Sequence, residues 1–166
     1  STISDTIILD MTAENEAPTA TNTDQTVEFA EDASATTLTT IVISENDSIQ
    51  ASTDTTTASD ETTDETVSVS IVLSDSSAGS FSADTESGES FSSGTWSISG
   101  VSVTTANTAL ASLTYTPSEN YDKDASATIT VEDADGLTLT DTIILDVTPE
   151  NEAPTATNTD QTVEFA

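Results

Sequence analysis

The chain has 166 residues, 34% of them hydrophobic, and a formal net charge of −30 with Lys123 as its only basic residue. That charge repels nucleic acid and anionic membrane surfaces, and the absence of histidine and cysteine removes the commonest general base, the usual zinc ligands and disulfide chemistry. No apolar run reaches the roughly 18 residues that a spanning helix needs, and serine with threonine make up about a third of the sequence, a bias toward strands and turns.

Taken in chain order, short runs with alternating apolar residues recur between Asp, Asn, Ser and Gly clusters, and no convincing amphipathic helix interrupts them. Residues 3–11, with Ile7, Ile8 and Leu9, predict a strand. Residues 13–18 read as a linker holding Glu14, Asn15 and Glu16; Pro18 has no N–H for a ladder and pushes Ala17 to an extended conformation. Residues 25–30 predict a strand with Val27 and Phe29 on one face, followed by a turn at Glu31 and Asp32. Residues 35–43 carry Leu38, Ile41 and Val42 as the next strand, and 44–48 form a turn that includes Asn46 and Asp47.

Residues 50–65 are polar and acidic with almost no large apolar group, which predicts a solvated loop. Residues 66–73 give the clearest strand, with Val67, Val69 and Ile71 on one side. Short strands follow at 78–82, 89–92 and 94–98, the last with Trp96 as a core anchor. Residues 107–113 offer one helical turn before a strand at 113–116 that ends at Pro117. The acidic loop at 118–124 has Tyr121 as a packed anchor and Lys123 as local charge balance for Asp122 and Asp124. Residues 126–132 and 138–147 predict a hairpin around a turn containing Asp133 and Asp135. Trp96, Tyr115 and Phe29 are expected in the core rather than on a sugar-stacking platform. Seven or more short strands with turns every 8–12 residues predict an all-β, antiparallel, immunoglobulin-like sandwich.

One stretch occurs twice. Residues 5–30 and 141–166 differ only at Met11/Val147 and Ala13/Pro149, and the second copy starts 136 residues after the first. Such spacing marks one period of a tandem array. The stretch runs strand, acidic linker, strand, so it spans a domain boundary. Residues 1–12 are then the last strand of a preceding repeat, 13–18 a linker, 19–148 the sandwich, 149–154 a second linker with Glu150, Asn151 and Glu152, and 155–166 the first strand of the next repeat.

The segment from Tyr115 to Pro154, reading YTPSENYDKDASATITVEDADGLTLTDTIILDVTPENEAP, resembles the cadherin-like and immunoglobulin-like repeats of giant bacterial surface adhesins of the RTX type. That family's pattern is Y-T-P, an Asn-aromatic turn, V-x-D-x-D-G, and a closing V-T-P-x-N-x-A-P. The segment GTWSISGVSVTTANTALASLTYTP is similar to its Trp-centred stretch, and the match covers most of residues 24–154 in order. The resemblance implies an extender module, chained in tandem on a secreted protein at the bacterial surface, which holds a ligand-binding tip away from the cell and uses Ca²⁺ for rigidity. The acidic insert at 50–65 departs from the pattern.

Topology indicates which carboxylates converge. In a sandwich whose chain enters at one end and leaves at the other, Glu14, Asn15 and Glu16 share the entrance end with Asn46, Asp47, Asp133 and Asp135. Glu31, Asp32, Asp122 and Asp124 share the exit end with Glu150, Asn151 and Glu152. Two carboxylates ~4 Å apart repel by about 1 kcal/mol in water and about 4 kcal/mol at an effective dielectric near 20. Gathered in number, they need a cation or must splay apart as ordinary acidic turns, and Ca²⁺ takes six to eight such oxygens. The expected partners are neighbouring repeats joined through calcium-bridged linkers, with no nucleic acid, no membrane insertion and no small-molecule substrate. An adhesive module that binds carbohydrate or protein is the alternative and needs an exposed aromatic patch. Catalysis is not expected: a glycosidase needs only two placed carboxylates, but tandem repetition suits length.

Overall fold

The computed structural model describes residues 1–7, 15–45, 66–83, 88–157, 160 and 162–164; Glu14, Asn46, Asp47 and the 50–65 insert lie outside them. In chain order the elements are β1 (Thr19–Thr21), β2 (Thr26–Ala30), β3 (Thr36–Thr37), β4 (Val42–Ser44), β5 (Thr66–Leu73), β6 (Gly79–Ser82), β7 (Ser90–Ser92), β8 (Thr95–Ser102), α1 (Val103–Ala111), β9 (Thr114–Pro117), β10 (Ala125–Glu132) and β11 (Thr138–Thr148). The protein is an all-β sandwich, as its alternating pattern predicts, with one short helix among the described residues.

One layer is a six-stranded sheet in the order β2-β11-β10-β5-β8-β7. Its neighbours are antiparallel except for β2, which runs parallel to β11 with Val27 opposite Leu145 and Phe29 opposite Val147. The other layer is shared by a three-stranded sheet, β3-β9-β6, and a two-stranded one, β1-β4. The segment 36–44 links these two pieces, pairing with β9 at its start and with β1 at its end. The 36–44 segment thus stands between β1 and β9 in one layer, with β6 beyond β9, while β10 and β11 lie beside β5 in the other, the immunoglobulin arrangement. The β7–β8 hairpin extends the larger sheet beyond β5.

Each long strand presents alternate residues to the core. Val67, Val69, Ile71 and Leu73 of β5, Ala127, Ile129 and Val131 of β10, and Ile143, Leu145 and Val147 of β11 are all buried, and each Val, Leu or Ile among them contributes about 1.5–3 kcal/mol. Trp96 is fully buried opposite Ile71, and Tyr115 packs against Phe29 and Phe81 with ring centroids 5.3 and 5.6 Å apart. Trp96, Tyr115 and Phe29 occupy the core places expected of them, and Phe81 joins them.

Several elements differ from the sequence pattern, among them the unpredicted β1 and the strand expected at 155–166, whose described residues carry no regular structure. The strand expected over 35–43 is two short strands, because exposed Thr39 and Thr40 stand together and break the alternation between Leu38 and Ile41. Gln25 satisfies the interrupted backbone: its Oε1 accepts from the Thr39 N–H at 2.8 Å and its Nε2 donates to the Thr39 carbonyl at 3.0 Å. The single turn expected at 107–113 is a nine-residue helix that starts four residues earlier, with the Ser102 hydroxyl accepting from the Thr105 N–H as N-cap. Residues 1–7 carry no regular structure, with Ile3 93% exposed. Residues 8–11 of the strand expected at 3–11 lie outside the described residues; its residues 5–10 repeat 141–146 of β11, which fills the place between β10 and β2.

Candidate functional site

The exit end is built by the β2–β3 turn, the β9–β10 loop and the chain leaving β11. Glu31 extends the parallel ladder by one bond, its N–H donating to the Thr148 carbonyl at 2.9 Å. That contact turns its side chain inward; Glu31 is only 7% exposed, and its Oε2 accepts from the Glu150 N–H at 3.1 Å. Asp32 follows with φ of 60°, a left-handed conformation that Asp tolerates better than most residues. Its Oδ1 accepts from the Asn120 N–H at 2.7 Å, and Asn120 is itself left-handed with φ of 58°. The Asn120 amide finds acceptors only with its nitrogen toward Glu152, at 3.0 and 2.9 Å from the two carboxylate oxygens.

The outcome is a convergent group. One carboxylate oxygen from each of Glu31, Asp32 and Glu152 lies within 4.8 Å of the others. Partial desolvation first, then the negative charges of Asp32 and Glu31, push the Glu152 carboxyl above its ordinary range, and Glu119 adds to this. Asp124 does not join them. Its Oδ1 accepts from the Val147 N–H at 3.1 Å and so ties the β9–β10 loop to β11. Asp122, Glu150 and Asn151 are exposed on the same loop and linker. Tyr121 is the packed loop anchor expected, half-buried, with its hydroxyl 3.4 Å from Asp75 Oδ2.

The entrance end is organised by Asp133, which is 6% exposed. Its Oδ1 accepts from the N–H groups of Asp135 at 2.9 Å and Leu137 at 2.8 Å, closing the β10–β11 turn. Its Oδ2 accepts from Asn15 Nδ2 at 3.0 Å, which fastens the linker to a turn 118 residues away. Burial raises the Asp133 pKa, but the bonds from Asn15, Leu137, Asp135 and Gly136 together outweigh it and hold the carboxyl below its ordinary value. Asp135 and Glu16 are exposed beside this contact, and Glu14, Asn46 and Asp47 lie outside the described residues.

The structure thus joins Asn15 to Asp133 at one end and Glu31, Asp32 and Glu152 at the other, the two ends to which strand alternation assigns them. Two participants carry no such signal in the sequence. Asn120 is legible there only as a turn residue, since its backbone and amide roles depend on the left-handed geometry. Asp141 lies in the duplicated stretch on the inner face of β11, where buried Thr23 donates to its Oδ2 at 2.7 Å; that bond, and one from the Thr142 N–H, lower its pKa.

No protein-family model and no curated protein sequence matches the chain. Among solved structures, the chain is similar to protocadherin gamma B2 extracellular cadherin domains 3–6, with 15% identity and a TM-score of 0.40; the match covers 81% of this chain and 25% of that one. No helix among the described residues is long and apolar enough to cross a membrane.

Proposed function

We propose that this sandwich is a calcium-rigidified spacer repeat of a secreted bacterial surface adhesin, projecting a distal ligand-binding region from the cell. The observation that carries the reading is the group of Glu31, Asp32 and Glu152. Three carboxylates from a turn and from the departing linker converge within 4.8 Å in a chain with a single basic residue. Their donor set is all oxygen, with the Asn120 amide alongside, and it suits a hard cation rather than zinc or copper. Glu31 and Asp32 belong to the sandwich and Glu152 to the linker, so a cation they share holds linker to domain. The repeated linker gives the same joint to every member of an array, and the resemblance to RTX-type adhesin repeats supports an extender role. The core takes Trp96, Tyr115, Phe29 and Phe81, which leaves the alternative of a stacking adhesive face without these rings.

The test is a calcium titration of the chain followed by thermal melting, with scattering on a chain of several repeats. Calcium raises the melting temperature and lengthens the multi-repeat particle, and Glu31→Gln with Glu152→Gln abolishes both responses. Equal length and equal melting in calcium and in EDTA would refute the mechanism.

A further inference from the structure

The two copies of the linker have the same residues at Glu14/Glu150, Asn15/Asn151, Glu16/Glu152, Ala17/Ala153 and Pro18/Pro154, but the structure treats them differently. At the entrance Asn15 is half-buried with its amide on Asp133, and Pro18 is buried just before β1 pairs with β4. At the exit Asn151 and Pro154 are both exposed. What the exit linker does engage lies on alternate residues: the Glu150 N–H reaches Glu31, and the Glu152 carboxylate meets Asp32 and Asn120. Asn151, between these two contacts, is exposed and makes neither of them.

We infer that Asn151 and Pro154 are a docking element for a second copy of this sandwich, the following repeat, where Asn151 takes the place of Asn15 on that copy's Asp133 and Pro154 the buried place of Pro18. The occupant follows from identity: residues 150–166 repeat residues 14–30, so the seat for each exposed group is the one its duplicate already fills. The two sides of the linker then differ in kind. On the following side it is fastened by an amide-to-carboxylate hydrogen bond and an apolar contact, neither of which needs a metal. On the preceding side the bonds from the Glu150 N–H to Glu31 and from the Asn120 amide to Glu152 work against three carboxylates that repel one another unless neutralised. When a cation is lost the array bends at Glu150–Glu152 on the exit side of each domain, and the linker moves as part of the domain after it. The inference rests on the tandem-repeat reading; its docking contacts hold with or without calcium.

The test uses this chain and a two-unit chain made by continuing residue 166 with residues 31–166, which completes a second sandwich after the second linker. All melting is done in EDTA. In the 166-residue chain Asn15→Ala and Pro18→Ala each lower the melting temperature by about 2–4 °C or more, whereas Asn151→Ala and Pro154→Ala leave it unchanged. In the two-unit chain Asn151→Ala and Pro154→Ala lower the melting of the second sandwich by the amount seen for Asn15→Ala and Pro18→Ala. The Asn151 side-chain amide also gains the slowed hydrogen exchange of Asn15. No effect of Asn151→Ala and Pro154→Ala on the second sandwich, or an Asn151 amide that exchanges as in the single unit, overturns the inference even where calcium lengthens the array. A docked Asn151 with no calcium response supports the inference and refutes only the cation mechanism.

Discussion

Gly79 sets how closely β6 approaches β9 beneath Tyr115. A Cβ there would lie 2.3 Å from the Thr116 carbonyl oxygen and 2.6 Å from the Tyr115 hydroxyl. Because one of those atoms is backbone, the strand pair itself must move, and Gly79→Ala is expected to cost about 1–3 kcal/mol in urea denaturation. The tyrosine gains from the close fit, its hydroxyl donating to the Ala78 carbonyl at 2.8 Å. Burial, with smaller contributions from Tyr121 and Asp75, pushes the Tyr115 phenol from 10.0 up to about 12. Between those values the unfolded chain has lost a proton that the folded one keeps, so stability is full below pH 10 and falls as pH rises toward 12. Tyr115→Phe removes that fall. At neutral pH it costs about 0.5–1.5 kcal/mol, because the Ala78 carbonyl loses one of its two donors and keeps the Ser118 N–H at 2.9 Å. Denaturation midpoints measured from pH 8 to 12 test both statements, and an unchanged alkaline slope in Tyr115→Phe would show that another group carries it.

At the scale of elements, helix α1 acts as the cover for a strand edge. Its Asn107 accepts from the Ile43 N–H at 2.8 Å and donates to the Ile43 carbonyl at 2.9 Å, so one side chain replaces a neighbouring strand along β4. Asn107→Ala leaves both groups of a buried residue without their partner, and a loss of about 1–3 kcal/mol is expected. Hydrogen exchange at the Ile43 amide should rise with it; an unchanged rate would mean that β4 is held by β1 alone. This helix also shows where legibility in the sequence stops. Strands β5 and β10 are plain because Val67, Val69 and Ile71, or Ile129 and Val131, alternate against serine and threonine. Helix α1 buries only Ala106, Ala109 and Leu110, too few apolar residues to stand out by period, and its start is set by a serine cap. The split of 36–44 is hidden for a similar reason: what replaces the ladder at Thr39 is the amide of Gln25, a contact between residues 14 apart. At the candidate site, alternation of loops between two ends places Glu31, Asp32 and Glu152 together and Asn15 with Asp133. It does not separate Asp124, whose carboxylate caps the Val147 N–H, from the carboxylates that converge, because that choice depends on register rather than residue type.

For the whole molecule, the two ends respond to acid in opposite directions. At the exit end the Glu152 pKa is raised above 4.5 by desolvation and by Asp32 and Glu31, so the folded chain binds a proton more tightly there than the unfolded chain does. With calcium chelated, stability therefore rises as pH falls from neutral toward 4.5. At the entrance end Asp133 is held below 3.8 by its hydrogen bonds, despite burial, and Asp141 is lowered by Thr23. Their contribution is present above 3.8 and is lost as pH falls through the folded values. The relief of a net charge of −30 also favours compaction in acid, so the site-specific part needs its own control. Glu152→Gln supplies it: the neutral amide raises stability at pH 7 in EDTA and flattens the limb between neutral pH and 4.5, while leaving the acid limb below 3.8 in place. On the proposed reading, calcium does at neutral pH what a proton on Glu152 does in acid, since each offsets the charge of that group. A saturated chain should thus lose the rising limb and become less stable as acid displaces the ion. Melting temperatures across pH 3 to 8, in calcium and in EDTA, decide the matter. Parallel profiles in the two conditions would show that Glu31, Asp32 and Glu152 repel one another without ever sharing a cation.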